Sequence, residues 1–153
     1  MDTLTADQRN KNMRAIRSKD TKPELIVRKL LFSNGYRYRL HSRRLPGRPD
    51  IVLKKHNAVI FINGCFWHRH KGCPYAVLPK SHADFWNQKL SRNAARDAAE
   101  HQALLGMGWR ILVVWECALK TQKTRAISEP LILEWLAGRE QYREISGPLS
   151  DDS

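Results

Sequence analysis

The stretch that decides the fold reads Ala58-Val59-Ile60-Phe61-Ile62-Asn63 and continues directly into Gly64-Cys65-Phe66-Trp67-His68-Arg69-His70-Lys71-Gly72-Cys73. Its first part is an apolar run of the length typical of a buried strand. The loop that follows places two thiols, two imidazoles and an aromatic pair at the end of that strand. Cys65, His70 and Cys73 have the ligand types and the short spacings of a zinc site. His68 and the Phe-Trp pair are left over, which indicates that the loop does more than bind a structural metal.

The residues before this stretch predict a helix and then a hairpin. Thr21-Lys22-Pro23-Glu24 has the spacing of a capping box with proline in the first turn. Apolar residues then recur at helical intervals, and Asn34-Gly35 ends the helix. The predicted elements that follow are a strand over 36–40, a stiff loop over 45–49, a short strand over 50–53, a polar turn over 54–57 and a strand over 58–62.

The residues after the cysteine loop predict two helices around one strand. Ser81-His82-Ala83-Asp84 resembles a second capping box, before a long amphipathic helix over 84–105 that stops at Gly106. A buried strand over 109–115 and a last helix over 128–136 complete the set. The order helix, three strands, helix, strand, helix predicts one α/β domain with a central mixed sheet flanked by helices.

Length and composition limit the class of protein. The chain has 153 residues, of which 42% are hydrophobic, so we expect one globular domain. No apolar run approaches the roughly 20 residues of a membrane span, and the N-terminus lacks the apolar core of a secretion signal. We therefore expect a cytoplasmic protein, in which the three cysteines act as metal ligands more readily than as disulfide partners.

The charge of the chain predicts a nucleic-acid partner. There are 27 Lys and Arg residues against 15 Asp and Glu residues, for a formal net charge of +12. Such a surface attracts a polyanion because each neutralised phosphate releases condensed counterions. A solvated basic surface that aids solubility is the alternative.

The sequence also predicts how the chain is divided. We expect residues 1–19 to form a polar, basic arm, residues 20–138 the folded domain, and residues 139–153 a polar tail.

Cys117 is the candidate for a fourth zinc ligand. It follows the strand over 109–115 as Cys65 follows the strand over 58–62, and neighbouring strands would bring the two loops together. The predicted set of Cys65, His70, Cys73 and Cys117 is a closed, structural Cys3His site. The alternative is a core with three buried free thiols.

Four further side chains could carry chemistry. Asp50 begins a strand after a rigid Gly-Arg-Pro turn, where an acid suits a Mg²⁺ ligand or a group that satisfies turn amides. Glu24 is first of all the capping-box partner of Thr21. A solvated helix face is the default interpretation of Asp97. His68 could be a spare zinc ligand or a general base.

Several segments together resemble one family. Leu45-Pro46-Gly47-Arg48-Pro49-Asp50, Gly64-Cys65-Phe66-Trp67-His68 and Gly108-Trp109-Arg110 with Val114-Trp115-Glu116-Cys117 are similar to the very-short-patch repair (Vsr) DNA mismatch endonucleases. The opening Lys11-Asn12-Met13-Arg14-Ala15-Ile16 and the pair Phe85-Trp86 with Lys89 and Asn93 add to the resemblance. It spans roughly residues 9–136 and rests on the combination of segments.

The resemblance implies a restriction-endonuclease-like fold and a set of catalytic roles. Asp50 and the backbone carbonyl of Ile62 would hold Mg²⁺, and His68 would be the general base. Glu24 and Asp97 would order metal-bound waters or orient the histidine. The usual second acid and lysine of this nuclease fold are absent, because Phe61 and Asn63 stand near their positions. Asn63 stands where some relatives would have a histidine, so its role is at most that of a hydrogen-bond contact.

The resemblance also implies how the chain meets DNA. Cys65, His70, Cys73 and Cys117 match the structural zinc ligands of the family. Phe66, Trp67 and Trp86 would wedge between bases beside a mismatch, while the arm with Met13 and Arg14 lies along the duplex and Lys89 and Asn93 add contacts. The alternative for the aromatic pair is a small core beside the zinc loop.

The implied function is Mg²⁺-dependent nicking of one strand, 5′ to the thymine of a T·G mismatch left by deamination of 5-methylcytosine. The implied partner is double-stranded DNA with that mismatch. We expect a monomeric, bacterial, cytoplasmic enzyme that is nucleoid-associated when it acts. The alternatives are a non-catalytic zinc-dependent DNA-binding module and a restriction endonuclease that cuts both strands. Asp50 and His68 separate the first alternative from an enzyme, because binding alone needs neither.

Overall fold

A five-stranded mixed sheet forms the centre of the protein. The computed structural model describes residues 20–149. In chain order the strands are β1 Arg39–Leu40, β2 Ile51–Leu53, β3 Ala58–Asn63, β4 Arg110–Trp115 and β5 Tyr142–Ile145. The α-helices of the described residues are α1 Lys22–Ser33, α2 Ala83–Gly106 and α3 Gln122–Ala137.

The strands lie in the sheet in their order along the chain. β1, β2 and β3 are antiparallel neighbours, whereas β3 pairs with β4, and β4 with β5, in parallel. Parallel neighbours need a crossover, and the helices α2 and α3 supply the two crossovers. The carboxyl ends of β3 and β4 therefore meet at one edge of the sheet, where Asn63 is opposite Trp115.

Each face of the sheet has its own apolar core, because successive side chains of a strand point to opposite faces. The core on one face joins strand residues to α1 and α3, and its members include Val27, Leu31, Ile60, Leu112, Val114, Ile132 and Trp135. The core on the other face joins strand residues to α2 and the cysteine loop, and includes Val59, Phe61, Ile111, Val113, Leu104, Cys65, Cys73 and Cys117. Helices and loops thus cover the sheet on both sides.

The predicted α/β class and the predicted order of elements are confirmed, with one strand missed. β5 lies in the stretch predicted to be a polar tail and pairs with β4. Only Ile145 of its four residues is buried, so the apolar alternation that identifies a strand is absent. The predicted strand over 36–40 is shorter, since only Arg39–Leu40 pairs with β2.

Both predicted capping boxes are wrong. Thr21 and His82 precede α1 and α2 without a side-chain cap hydrogen bond. The Glu24 carboxylate instead accepts a hydrogen bond from the backbone N–H of Asp20 at 2.9 Å. A capping box does form at α3, between Thr121 and Thr124, so this helix begins at Gln122, ahead of the predicted 128.

The predicted N-terminal arm over 1–19, with Met13 and Arg14, lies outside the described residues. Within the described residues, each helix is too short or too polar to cross a membrane.

Candidate active site and metal centre

A cleft of about 840 Å³ opens beside the carboxyl end of β3. Its walls come from the start of α1, the loop before β2, the end of β3, the cysteine loop and α2. It brings together most side chains that the sequence singled out for catalysis or DNA contact: Glu24, Asp50, Ile62, Asn63, Phe66, Trp67, His68 and Asn93.

Asp50 lies at the start of β2 with its carboxyl group against β3. Its Oδ2 accepts a hydrogen bond from the backbone N–H of Ile62 at 2.7 Å. Burial raises the pKa of Asp50 from 3.8 to about 7, against the lowering effect of that hydrogen bond, and the nearby Glu24 carboxylate adds to the rise. A group whose charged form is this unfavourable in the free protein is a good ligand for a cation, which would restore the charge balance.

Glu24 is a buried residue in the wall of the cleft and belongs to an ion-pair network. Its Oε2 accepts a hydrogen bond from the Arg28 guanidinium at 2.9 Å. Arg28 also pairs with Asp20 at 2.7 Å and contacts the His41 ring at 3.0 Å. Glu24, His41 and Asp20 are close enough together to hold a metal ion. The Arg28 guanidinium, however, already places a positive charge next to the two carboxylates.

His68, in the wall of the cleft, pairs with Asp97. His68 Nδ1 is 2.6 Å from Asp97 Oδ2, which joins the cysteine loop to the middle of α2. The default interpretation of Asp97 as a solvated side chain is therefore wrong, because helix periodicity reveals an exposed face but not what a distant loop places there. A carboxylate that accepts from Nδ1 leaves Nε2 free to accept a proton.

The aromatic residues predicted to meet DNA form one cluster. The ring centroids of Phe66, Trp67 and Trp86 lie 5.0 to 5.9 Å apart. The Lys89 ammonium group is 5.6 Å from the Trp86 ring centroid, and Asn93 donates a hydrogen bond to the Trp67 carbonyl at 3.1 Å. The rings are only partly buried, so they form a surface beside the cleft and not a closed core.

The predicted zinc ligands lie together next to this site. One ligand atom from each of Cys65, His70, Cys73 and Cys117 lies within 4.8 Å of all the others, and all four residues are buried. Cys65 and Cys117 come together because they follow the adjacent parallel strands β3 and β4, as the sequence predicted. The cluster could hold a metal without His68, so the interpretation of His68 as a spare ligand is not needed.

Hydrogen bonds and stacking fix the ligand side chains in place. Cys117 Sγ accepts a hydrogen bond from the backbone N–H of Gly147 at 3.2 Å. A hydrogen bond with Cys65 lowers the pKa of Cys117 to about 5 and raises that of Cys65. The His70 ring stacks on Trp115, with the centroids 3.8 Å apart. A thiol that ionises readily among buried partners is the chemistry that a soft metal ion requires.

Sequence reasoning missed His41. The predicted strands over 36–40 and 50–53, paired as antiparallel neighbours, would have placed residue 41 near Asp50, and this pairing was the available signal. In the structure His41 Nδ1 is 3.8 Å from Asp50 Oδ1.

Comparison with known proteins gives a consistent result. Residues 1–74 match the family model described as DNA mismatch endonuclease Vsr. The type II nicking enzyme V.XorIIP of Xanthomonas oryzae is 50% identical over 118 residues, which cover 77% of this chain and 86% of that protein. The type II nicking enzyme V.NmeAIP of Neisseria meningitidis is 46% identical over 121 residues, covering 79% and 86%. The DNA mismatch endonuclease Vsr of Escherichia coli is 41% identical over 133 residues, covering 85% and 84%.

Proposed function

The chain belongs to the Vsr family of DNA mismatch endonucleases, and from this premise we propose that it nicks one strand of double-stranded DNA 5′ to the thymine of a T·G mismatch. The mismatch would arise by deamination of 5-methylcytosine, and the nick would start very-short-patch repair. Phosphodiester hydrolysis would depend on Mg²⁺. The observation that carries the proposal is the meeting of Asp50 and the His68–Asp97 pair around one cleft.

The oxygen atoms that the cleft offers as ligands suit a magnesium ion. Asp50 and Glu24 place two carboxyl groups close together, and the pKa of Asp50 is raised mainly by burial and further by repulsion from Glu24. Oxygen ligands of this kind suit Mg²⁺, which keeps several waters and takes few protein ligands. Asp50 and the Ile62 carbonyl would hold the ion, with phosphate oxygens completing its coordination. When bound, the ion stabilises negative charge that develops on the phosphate.

His68 would act as the general base. Asp97 accepts the hydrogen bond from Nδ1 and holds the ring so that Nε2 can take a proton from a water molecule. The water oxygen forms a bond to phosphorus as the bond to the leaving oxygen breaks. A histidine base suits this site because the lysine usual in the nuclease fold is absent, and Asn63 offers a hydrogen bond but cannot accept a proton at neutral pH. Glu24 would order water at the edge of the site.

The cysteine cluster would hold zinc for a structural purpose. Three sulfurs and one imidazole nitrogen match the donor preference of zinc, and four protein ligands leave no position for a reacting water. The ion would clamp the cysteine loop to the loop after β4. It would thereby fix His68, which is two residues from the ligand His70.

The aromatic cluster would read the mismatch. Inserting Phe66, Trp67 or Trp86 between base pairs requires unstacking, which is least costly where pairing is already weak. Lys89 and Asn93 would contact the same DNA, and the arm over 1–19, with Met13 and Arg14, would follow the backbone. Part of the selectivity for T·G would then come from the ease with which DNA deforms at the mismatch.

Three further statements belong to the same proposal. The core would be restriction-endonuclease-like, and the domain that follows the arm over 1–19 would extend beyond residue 138 to include β5. The protein would act as a monomer. It would work in the bacterial cytoplasm, on the nucleoid.

A strand-resolved cleavage assay tests the proposal. Duplexes labelled on either strand and carrying T·G, T·A or C·G at one position are incubated with the protein and Mg²⁺, with and without EDTA. The expected result is a nick 5′ to the thymine of the T·G duplex alone, abolished by EDTA. Cleavage of both strands would identify a restriction endonuclease, and binding without cleavage would identify a DNA-binding module.

A further inference from the structure

His41 lies directly opposite Asp50 in the sheet. The pairing of Arg39 with Val52 and of Leu40 with Ile51 continues by one step, and the His41 backbone N–H donates to the Asp50 carbonyl at 3.0 Å. Residues opposite each other in an antiparallel pair have side chains on the same face. The imidazole therefore lies beside the Asp50 carboxyl group, with Nδ1 3.8 Å from Oδ1.

The second ring nitrogen determines where the proton of His41 is located. Nε2 is 3.0 Å from the Arg28 guanidinium, at hydrogen-bond distance. A guanidinium group only donates, so Nε2 must accept and Nδ1 must carry the hydrogen. The carboxylates of Glu24 and Asp20 are 3.6 Å and 4.0 Å from Nε2, and Asp50 Oδ1 is 3.8 Å from Nδ1, all beyond hydrogen-bond distance. The tautomer therefore follows from the Arg28 contact alone.

Arg28 is itself held in a fixed position. Its guanidinium donates to Glu24 at 2.9 Å and pairs with Asp20 at 2.7 Å, and its side chain is 13% exposed. A chain of contacts thus runs from α1 through the His41 ring to the Asp50 carboxyl group. This chain of contacts reaches Asp50 from the side away from the cleft, because His41 does not line the cleft.

We propose that His41 is a positioning residue for Asp50, with its Nδ1–H directed at Oδ1 by the Arg28 contact at Nε2. The Ile62 N–H already holds Oδ2. The polar Nδ1–H is 3.8 Å from Oδ1, beyond hydrogen-bond distance but near enough for electrostatic attraction. Together with the Ile62 hydrogen bond at Oδ2 it favours one orientation of the carboxylate, and each oxygen keeps a lone pair for a cation in the cleft. Contacts of this kind, behind a metal ligand, typically change metal affinity by about 10- to 100-fold when removed. The role rests on the proposed Mg²⁺ chemistry of Asp50.

Two substitutions separate this role from a purely structural one. His41→Asn keeps an N–H donor near the position of Nδ1 and loses the acceptor for Arg28. His41→Gln keeps a polar group near the position of Nε2 and loses the donor that faces Asp50. His41 has a φ of 49°, which asparagine also adopts more readily than most residues, so thermal unfolding of both variants is measured alongside.

Mg²⁺ titration of each folded variant gives the first test, followed through the amide resonance of Ile62 and through the rate of T·G nicking. We expect His41→Gln to weaken the apparent Mg²⁺ affinity by about 10- to 100-fold and His41→Asn by less than about threefold, with DNA affinity unchanged in both. Equal affinities in the two variants, or a larger loss in His41→Asn, would overturn the positioning role.

The tautomer gives a second test that needs no activity. Nitrogen-15 spectra of the wild-type imidazole should show a protonated Nδ1 and an unprotonated Nε2 for His41. A protonated Nε2 would overturn the proposal. If the wild type shows the expected tautomer and Mg²⁺ affinities but does not nick the T·G duplex, the mismatch function fails and the positioning role stands.

Discussion

The cysteine cluster and the cleft share the cysteine loop, yet they differ in chemistry. Cys65 and His70 belong to the cluster and are 0% and 7% exposed, whereas His68 between them has a side chain that is 32% exposed and faces the cleft. The cluster offers four soft ligands and closes on itself. The cleft offers carboxylates and an imidazole that leave room for a substrate. The two regions thus differ in residue type, and His68 is the member of the loop that is exposed to the cleft.

Removing a cluster ligand should have the largest effect. Cys65→Ser should lose bound zinc and on the order of 3–5 kcal/mol of unfolding free energy, because the remaining buried thiols and imidazole lose their common partner. The melting temperature should fall by roughly 6–20 °C. Metal analysis and thermal unfolding measure both effects. His70→Asn should behave alike, and His82→Asn, at an exposed histidine, should not. A zinc-free variant with wild-type stability would refute the structural role.

Removing the cleft carboxylate should abolish catalysis and spare the fold. Asp50→Asn should reduce the nicking rate by roughly 10³-fold, since the Mg²⁺ ligand is lost and metal stabilisation is worth several kcal/mol. Zinc content and affinity for T·G DNA should stay within about threefold of the wild type. Single-turnover nicking and a binding titration measure the two properties. An unchanged rate would exclude the metal role of Asp50.

The unfolding free energy of the protein should change with pH because of Asp50. The change should be opposite in direction to that caused by an ordinary ion-paired acid. The pKa of Asp50 is raised from 3.8 to about 7 in the folded protein, mainly by burial. Between these values the folded carboxyl group holds a proton that the unfolded one has lost, so the unfolding free energy falls as pH rises and levels off above about 7.

Asp50→Asn isolates this effect. Without added Mg²⁺, the wild type should lose stability relative to the variant between about pH 4 and about pH 7, by at most on the order of 4 kcal/mol and by less where solvent reaches the carboxyl group. Denaturant unfolding at both pH values measures the difference. A difference that is constant with pH would show that burial does not raise the pKa of this group.

The contact between the cleft histidine and α2 should have an intermediate effect. Asp97→Asn keeps the shape of the side chain but weakens the preference for hydrogen on Nδ1 of His68. Nicking should slow by about 10- to 100-fold, which is part of the roughly 10²- to 10⁴-fold that a general base contributes. The matched control is Asp84→Asn on the same helix, which is exposed and should nick normally. Equal rates for both variants would mean that Asp97 does not orient the base.

The smallest effect should come from the aromatic surface that flanks both regions. Lys89→Gln should weaken DNA binding only a few-fold and lower the slope of log affinity against log salt by about 1, as for one lost phosphate contact. Lys55→Gln, in the exposed turn between β2 and β3, is the control. A salt slope that is equally reduced in the control would place the DNA on another surface.

Local pattern was sufficient for much of the fold. The apolar runs predicted β3 and β4, and their adjacency explains why Cys65 and Cys117 meet. Residue types and spacing predicted the metal cluster because soft ligands in a short loop have few other uses. β5 escaped prediction because it is held mainly by backbone pairing with β4, and three of its four residues are not buried.

The sequence by itself thus determined the order of the elements up to α3, the basic character of the surface and the members of the cysteine cluster. These properties depend on residue type and periodicity within a few positions. Only the tertiary structure decided that Asp97 faces His68, that Glu24 pairs with Arg28 and not with Thr21, and that His41 backs Asp50. Such contacts depend on strand register and on the rotation of helices about their axes, and both are set by how the whole core packs.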